Sequence, residues 1–149
     1  MKLDEALSAE RLAEAVGRAM YARDFASQAL GIALEEIRAG YARMRMIVRK
    51  DMVNGHDICH GGFIFTLADS TFAFACNSHD HVTVAQSASI EFLAPGRLGD
   101  VLTAIGEERN IRGRNGVYDI SVVNQRGEQI ALFRGKSFRL NEHVVQPRD

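Results

Sequence analysis

GGFIFTLADSTFAFACNS, residues 61–78, is the richest apolar run of this sequence. Its apolar residues cover every side of a helical wheel, and alanines recur along it. The aromatic residues would also suit a strand, but the length of the run favours a helix. A helix that is apolar on all sides is buried on all sides, so we predict that residues 61–78 form a central, buried helix.

Two different patterns precede this helix. Residues 3–29 are rich in Ala, Glu and Arg, and their larger apolar residues recur at near-helical spacing, at Leu3, Leu7, Leu12, Val16 and Met20. This spacing predicts one or two amphipathic helices that lie on a larger body. Residues 41–48 instead alternate polar and apolar side chains, which predicts a strand, and residues 30–34 predict a shorter strand before it.

Four strands are predicted after the helix. They cover Val82–Phe92, Val101–Ile111, Val117–Asn124 and Ile130–Leu140. Turn signals separate them by hairpin-length connections, which predicts an antiparallel sheet. In the first strand, alternation places one apolar set on a single face: Val82, Val84, Ala88, Ile90 and Phe92. One apolar helix on such a sheet is an α+β domain in two layers, and a second helix or a second subunit must cover the rest of the helix.

Length and composition are those of one globular domain. The chain has 149 residues, of which 46% are hydrophobic and 25% charged, and its net charge is −1. These values exclude a disordered or collagen-like chain and offer no bulk positive field for nucleic acid. Two cysteines are too few for a disulfide scaffold, and a single bridge between them is the alternative to free thiols. Because neither a secretory signal nor a membrane-spanning run is visible, we expect a soluble, cytoplasmic protein with reduced thiols.

Asp69 interrupts the apolar helix. A carboxylate buried without a partner is costly, so this side chain must be paired, wetted by a cavity, or protonated. A structural interpretation gives it a nearby Arg or loop amides as partners. A functional interpretation makes it a catalytic carboxylate, because perturbed acids cluster at active sites.

The segment Cys59-His60-Gly61-Gly62 leads into the helix. Consecutive glycines let the backbone approach a ligand, and the first amides of a helix lack partners within it. The start of this helix is therefore a candidate site for a developing oxyanion. A tight entry from loop to helix would use the same residues, so the glycine pair alone is weak evidence.

Potential metal ligands also cluster near this entry, at His56, Asp57, Cys59 and His60. Their spacing matches no standard zinc pattern, and we predict no metal site. Cys59 beside His60 is a weak candidate for a nucleophile and its base. Both Cys59 and Cys76 are better interpreted as small buried hydrophobic residues.

Several segments together resemble the hotdog-fold acyl-CoA thioesterases, and most closely their phenylacetate-degradation (PaaI) type. The central segment is NGHDICHGGFIFTLAD, residues 54–69, in which Asp69 follows Gly61 by eight positions. The likeness continues through residues 73–78, 90–96, 116–120 and 131–137. It covers nearly all of residues 20–140, and it gives no role to the first residues, through about Ala19.

The resemblance implies a hotdog fold, in which a curved antiparallel sheet wraps one long helix. It also implies a homodimer whose sheets join edge to edge, usually assembled into a homotetramer. The chain then divides into an N-terminal helical segment (1–27), a thioesterase domain (28–141) and a C-terminal tail (142–149). No cofactor is expected, because coenzyme A is part of the substrate, and neither nucleic acid nor a membrane is expected as a partner.

The resemblance also assigns roles within the site. Asp69 corresponds to the catalytic carboxylate, which acts as a general base on water or attacks the thioester directly. The Gly61 N–H corresponds to the group that polarises the thioester carbonyl. His60 helps to position the thioester, Asn54 lines the reaction centre, and Ser87 orients the attacking water.

Gly61 and Asp69 cannot serve the same substrate from one copy of the helix. Eight residues of helix span about 12 Å, whereas a base and an oxyanion donor must both lie within ~3 Å of neighbouring substrate atoms. We therefore expect each site to combine two chains. One supplies Asn54, His60 and Gly61, and the other supplies Asp69 and Ser87.

Four cations are candidates for binding the phosphates of CoA: Arg112, Arg114, Arg134 and Lys136. Gly113 and Gly135 beside them would allow a nucleotide to approach closely. Alternatively, these four side chains are ordinary solvated surface charges with no role in binding. For the acyl pocket the candidates are Ile58, Phe65 and Phe72, which would serve equally well in the core.

By resemblance, the predicted reaction is hydrolysis of a (hydroxy)phenylacetyl-CoA-like or related aryl-acyl-CoA thioester to the carboxylic acid and free CoA. Two alternatives stay open. A non-catalytic acyl-CoA binding module would bind the ester without releasing a product. A hotdog dehydratase would need a His–carboxylate dyad, which this sequence does not match.

Overall fold

Residues 3–145 are described by a computed structural model of the chain, with side chains from Ser8 onward. The elements, in chain order, are α1 (Leu3–Arg23), α2 (Phe25–Ala29), β1 (Ala33–Arg38), β2 (Tyr41–Ile47), a 3₁₀ helix (Lys50–Met52), α3 (Gly61–Asn77), β3 (His81–Phe92), β4 (Val101–Arg112), β5 (Asn115–Val123) and β6 (Gln129–His143). The buried helix that the apolar segment predicts is α3.

One six-stranded sheet forms the second layer. Its strand order is β1-β2-β4-β5-β6-β3, and every neighbouring pair is antiparallel. The helix α3 packs on one face of this sheet, and Leu67, Phe72 and Phe74 of the helix are fully buried between the layers. The predicted α+β architecture of one long helix on an antiparallel sheet is confirmed.

The short connection between β3 and β4 does not form a hairpin. β3 pairs with β6 at the edge of the sheet, whereas β4 lies between β2 and β5. The connection, residues 93–100, is held by hydrogen bonds from the Leu93 N–H to the Ile130 carbonyl and from the Cys59 N–H to the Gly96 carbonyl. It carries the chain across to a different neighbour, which the turn signal in its sequence does not reveal.

A register shift divides β3 into two parts. Ala85 lies opposite the buried Ser137, and Ala88 lies opposite the buried Gly135, with the irregularity between positions 85 and 87. The side of the strand that faces the helix therefore changes from odd to even positions at the shift. The prediction of one continuous apolar face is wrong here, because Val84 points to the side opposite Ala88.

The N-terminal helix α1 packs closely on β1. A Cβ at Gly17 would lie 2.9 Å from Leu34 Cδ2 and 3.0 Å from Ile37 Cγ2, so glycine permits this approach. The predicted domain boundaries after residues 27 and 141 fall within α2 and β6. Residues 1–2 and 146–149 of the predicted terminal segments lie outside the described residues.

Both cysteines are free and buried. Burial raises the pKa of the Cys59 thiol to about 11 and that of the Cys76 thiol to about 12. Neither is then a thiolate near neutral pH, which disfavours Cys59 as a nucleophile. No helix within residues 3–145 is long and apolar enough to cross a bilayer.

Candidate active site

The N-terminus of α3 is anchored by the two residues before it. The His60 N–H donates to the Met52 carbonyl at 2.8 Å, and the Cys59 N–H donates to the Gly96 carbonyl at 2.7 Å. These bonds tie the start of the helix to an earlier loop and to the connection after β3. The backbone therefore fixes where the first turn of α3 lies.

The first amides of α3 are available as hydrogen-bond donors. No described residue accepts a hydrogen bond from the N–H of Gly61 or Gly62, and the side chain of the N-cap residue His60 does not cap them. The helix dipole adds positive potential at this end. A cleft of about 540 Å³ opens beside Gly61, between Ile58 and Phe92. This arrangement can polarise a carbonyl group that enters the cleft.

Asp69 lies about two turns further along α3. Its carboxylate is half-buried and makes no hydrogen bond or ion pair with any other side chain or backbone group of residues 8–145. Burial raises the pKa of this carboxyl above its ordinary value. A carboxylate of raised pKa is suited to proton transfer near neutral pH. The structural interpretation, in which Arg or loop amides pair with Asp69, finds no such partner among these residues.

Within one chain, Asp69 and Gly61 cannot reach the same thioester. Both belong to the continuous helix α3, in which eight residues span about 12 Å. A hydrogen-bond donor and a base that act on adjacent substrate atoms must lie much closer together. The single chain therefore holds both groups without assembling them into one site.

Asn54 and His60 lie in the loop that leads to Gly61, and both side chains are exposed. The Asn54 Oδ1 accepts hydrogen bonds from the N–H groups of His56 at 2.9 Å and Ile58 at 3.2 Å. Only the Asn54 amide nitrogen is left to face a substrate. Asn54 thus shapes the entry loop in addition to any contact with the thioester.

Ser87 does not join this group within one chain. It is exposed and pairs in register with Lys136 of β6, on the sheet face away from α3. The neighbouring Gly135 faces the helix, where a Cβ would lie 2.5 Å from the Phe72 ring. Alternation from Ala88 and Ile90 also places Ser87 on this outer face, in agreement with the observed register.

The predicted phosphate-binding cations differ in their partners. Arg134 donates to the Asp119 carboxylate through Nε at 2.6 Å and Nη2 at 2.9 Å, and Arg109 donates to the same carboxylate at 3.0 Å. The side chains of Arg112 and Lys136 form no hydrogen bond or ion pair with a described residue. Lys136 borders an outer-face cleft of about 340 Å³. Arg112 and Lys136 are therefore better placed than Arg134 to bind an incoming phosphate.

Several predicted pocket residues have structural reasons for their identity. Gly113 occupies the turn between β4 and β5 with φ 63°, a left-handed conformation that favours glycine. Gly135 makes room for Phe72, which is buried against Tyr118. Phe65 is half-buried, with its ring 5.3 Å from that of Phe133. Phe72 thus belongs to the core rather than to an acyl pocket.

The entry loop does not assemble a metal centre within the described residues. No three side chains of His, Cys, Asp or Glu in that part of the chain are grouped closely enough to hold an ion. Cys59 is buried, whereas His56 and Asp57 are exposed.

One polar cluster was not predicted. At the C-terminal end of α3, Glu108 Oε1 lies 2.8 Å from His79 Nε2 and accepts a hydrogen bond of 3.0 Å from the Tyr118 hydroxyl. These residues come from a helix end and two strands. No local pattern connects them, and only the pairing of β4 with β5 brings them together.

One long helix on an antiparallel sheet is the architecture of the hotdog class of thioesterases. The family model of the Thioesterase superfamily matches residues 56–131 of the chain. The chain belongs to this superfamily, and the predicted family and fold are confirmed.

Individual members of the superfamily are similar to the chain over most of its length. The chain is 48% identical to the acyl-coenzyme A thioesterase PaaI of Escherichia coli K12 over 127 residues, which are 85% of this chain and 91% of that protein. It matches the structure of the E. coli PaaI protein from the phenylacetic acid degradation operon with TM-score 0.88 and 45% identity, over 90% of this chain and 97% of that one. A hypothetical thioesterase from Streptococcus pneumoniae TIGR4, solved with coenzyme A, gives TM-score 0.72 and 28% identity, over 75% and 88% of the two chains.

Proposed function

We propose that this thioesterase hydrolyses acyl-CoA esters whose acyl group is phenylacetyl, hydroxyphenylacetyl or a related aryl-acyl group. The products are the carboxylic acid and free CoA. The observation that carries the proposal is Asp69, a half-buried acid of raised pKa on a helix that begins with free amides. The E. coli relative is named an acyl-coenzyme A thioesterase, and its structure is described as that of a protein from the phenylacetic acid degradation operon. Both names support this substrate class.

The proposed chemistry uses Asp69 as the base. Its carboxylate takes a proton from water while the water oxygen attacks the thioester carbonyl carbon. The carbonyl electron pair moves onto oxygen, where the Gly61 N–H stabilises the developing charge. The C–S bond then breaks, and the CoA thiolate takes up the proton that Asp69 holds. Direct attack by Asp69, through a mixed anhydride that water hydrolyses, is the second route. Neither route uses a cofactor.

The reaction as proposed needs a homodimer, because each site takes Gly61 from one chain and Asp69 from the other. β3 supports such a dimer, since it is a 12-residue edge strand with one side unpaired within the described chain. Open edges pair readily with another strand. In an isologous dimer, pairing of two β3 strands would extend the sheet and bring the two α3 helices near each other. We propose a homotetramer of two such dimers as the larger assembly.

The remaining predicted residues divide between the two ends of the substrate. We assign the thioester to His60 and the Asn54 amide, because both precede Gly61 in the same loop. Lys136 and Arg112 are assigned to the phosphates of CoA. Ser87 shares its face of the sheet with Lys136, so we place it on the CoA side rather than beside the attacking water. The pneumococcal thioesterase solved with coenzyme A supports CoA as the carrier.

An acyl-CoA panel tests the proposed function. The purified full-length chain is assayed for free-thiol release from acetyl-, hexanoyl-, benzoyl-, phenylacetyl- and 4-hydroxyphenylacetyl-CoA. The aryl-acetyl esters should give the highest kcat/KM. Tight binding of these esters without thiol release would instead identify a binding module. Preference for the straight-chain esters would contradict the proposed substrate class while leaving the thioesterase chemistry in place.

A further inference from the structure

A second cavity, of about 250 Å³, lies at the C-terminal end of α3. Cys76 and His79 border it from the end of the helix, Thr83 borders it from β3, and Arg139 borders it from β6. The catalytic groups and the cleft beside Gly61 do not belong to it. It is smaller than the usual range of ligand pockets, so it suits one end of a ligand rather than a whole nucleotide.

Glu108 holds one wall of this cavity in place. Its carboxylate accepts the Tyr118 hydroxyl at 3.0 Å and contacts His79 at 2.8 Å. The Tyr118 ring in turn packs on Phe72, with 5.7 Å between ring centroids. The Glu108 carboxylate is therefore bound by Tyr118 and His79. The Tyr118 ring, held in place on Phe72, forms an aromatic wall of the cavity.

Arg114 and Arg139 both bring positive charge to the cavity, and they differ in their partners. The Arg139 side chain is half-buried, and no described residue accepts a hydrogen bond from its guanidinium. Arg114 on the rim is instead held by the Arg139 carbonyl at 3.1 Å and by the Asn141 side chain. A half-buried guanidinium without an acceptor is suited to bind an oxygen atom of a ligand.

Neither Asp80 nor Glu108 lines the cavity. The carboxylate of Asp80 accepts the N–H groups of Val144 and Val145. The pKa of His81 is lowered, first by burial and then by the positive charges of Arg139 and His143. Arg114 and Arg139 are the charged side chains among the residues that line the cavity, and this lining favours an acceptor oxygen over a cation.

The cavity lies on the same side of α3 as the catalytic acid. Cys76 follows Asp69 by seven residues, which places both on one face of the helix, about 10 Å apart along its axis. Burial raises the pKa of Cys76, and the Asp69 carboxylate adds to that rise, so the two side chains are within electrostatic range. Ala73, between them, is small and half-buried. A para-substituted phenylacetyl group whose carbonyl lies within hydrogen-bond reach of Asp69 would extend along this face toward the cavity.

We propose that this cavity receives the far end of the acyl group, and that Arg139 binds an oxygen substituent there. A para-hydroxyl or para-carboxylate on the aryl ring has the required chemistry. The inference rests on the proposed function, and it makes Arg139 a specificity-determining residue. An unsubstituted ring offers no acceptor to Arg139, so it gains nothing from that side chain.

Paired substrates test this role of Arg139. Phenylacetyl-, 4-hydroxyphenylacetyl- and 4-carboxyphenylacetyl-CoA are compared with the wild type, with Arg139→Met, and with Arg38→Met as control. Arg38 is an exposed arginine on β1, at the opposite edge of the sheet. Arg139→Met should lower kcat/KM for the two oxygenated esters by about tenfold or more and leave phenylacetyl-CoA unchanged. Equal effects on all three esters, or no effect on any, would overturn the inference. Arg38→Met should change none of them.

A binding measurement separates this inference from the proposed function. Free 4-carboxyphenylacetate is titrated into ¹⁵N-labelled wild type and Arg139→Met while NMR spectra are recorded. Amide shifts should appear around Cys76, Thr83 and Tyr118 in the wild type and be lost in the variant. If no acyl-CoA is hydrolysed, the proposed function fails, and these shifts still decide whether the cavity binds an acid. Their absence from the wild type would overturn the inference.

Discussion

The ring of Phe92, at the end of β3, lies against Gly61 at the start of α3. A Cβ at Gly61 would lie 2.9 Å from Phe92 Cζ, closer than real Cβ atoms approach a neighbour, and 3.1 Å from one Cε. Gly61 does not have a positive φ, so packing rather than backbone conformation accounts for glycine here. At Gly62, a Cβ would meet no atom of the chain within 4 Å. The two glycines of the pair therefore have different reasons for being glycine.

Gly61→Ala should lower the free energy of unfolding by about 1 kcal/mol, the low end of overpacking costs, because the Phe92 ring is half exposed. Phe92→Leu should recover most of that loss, since leucine lacks the ring atoms that meet the new Cβ. Denaturant unfolding of the wild type, both single variants and the double variant measures this coupling.

Gly62→Ala is the matched control for the same experiment. It adds the same methyl group one residue later, into open space within the chain, and alanine is the better helix former. Its free energy of unfolding should equal or exceed that of the wild type. If Gly61→Ala costs as much in the Phe92→Leu background as in the wild type, the contact is not the reason for glycine at position 61.

The sequence predicts α3 and its two functional groups because the signals are local. An apolar wheel identifies the helix, Asp69 stands out as the charged residue within it, and the Gly61-Gly62 pair marks its start. Each signal lies within one segment of fewer than twenty residues. The strand positions follow from alternation in the same way.

What the sequence does not predict depends on contacts between distant segments. Phe92 meets Gly61 because β3 pairs with β6 rather than with β4, and the short connection between β3 and β4 does not reveal that topology. The face of Val84 depends on a one-residue shift of register against β6. Periodicity carries no information about which strand is the neighbour or where an extra residue is inserted.

Asp69→Asn should raise thermal stability near neutral pH. Burial raises the folded-state pKa of Asp69 above its ordinary value of 3.8, so the folded state pays for ionising this group once the pH exceeds that value. The asparagine variant avoids this cost. Its gain in Tm should be present at pH 7 and should vanish below the ordinary pKa, where Asp69 is neutral in both states. Thermal melts over a pH series measure it, and a lower Tm at pH 7 would contradict the burial argument.

The same substitution should abolish most of the activity. Removal of a general base costs about 10²–10⁴ in kcat, so Asp69→Asn combines higher stability with much slower thiol release. In the wild type, kcat/KM should rise with pH through an apparent pKa above the ordinary value of 3.8, because Asp69 must be ionised to act. Unchanged turnover in Asp69→Asn would remove this residue from the mechanism.

Lys136→Met should weaken acyl-CoA binding more than Arg134→Met does. Arg134 donates two hydrogen bonds to the Asp119 carboxylate. These bonds are the largest cause of the lowered pKa of Asp119. Lys136 has no such partner among the described residues. KM should rise about fivefold in Lys136→Met, the worth of one exposed charge contact of about 1 kcal/mol, and the effect should shrink at high salt. A larger KM change in Arg134→Met would reverse the assignment.

Asp119→Asn tests whether the contact between Asp119 and Arg134 stabilises the fold. Because the folded-state pKa of Asp119 is lowered by Arg134, with Arg109 adding to the effect, the ionised form stabilises the fold above pH 3.8. The substitution should lower Tm at pH 7, and the difference should shrink as the pH falls toward the lowered pKa. This is opposite in sign to the effect of Asp69→Asn, so the two variants control for each other in one set of melts.

Mixing two inactive variants should restore activity if each site is shared between chains. Gly61→Pro removes the amide hydrogen at a helix position that tolerates proline, and adding Phe92→Leu relieves the packing at that residue. Asp69→Asn removes the base. A mixed dimer then has one site with both groups intact and one with both defects. Every mixed dimer has one working site of two, so purified mixed dimers should recover roughly half of wild-type activity. Co-expression with two affinity tags, followed by thiol-release assays on the doubly tagged fraction, measures this directly.

Doubly tagged oligomers as inactive as either parent would show that Gly61 and Asp69 do not meet across a dimer. The Asp69→Asn chain mixed with itself, carrying both tags, is the control for recovery caused by tagging alone.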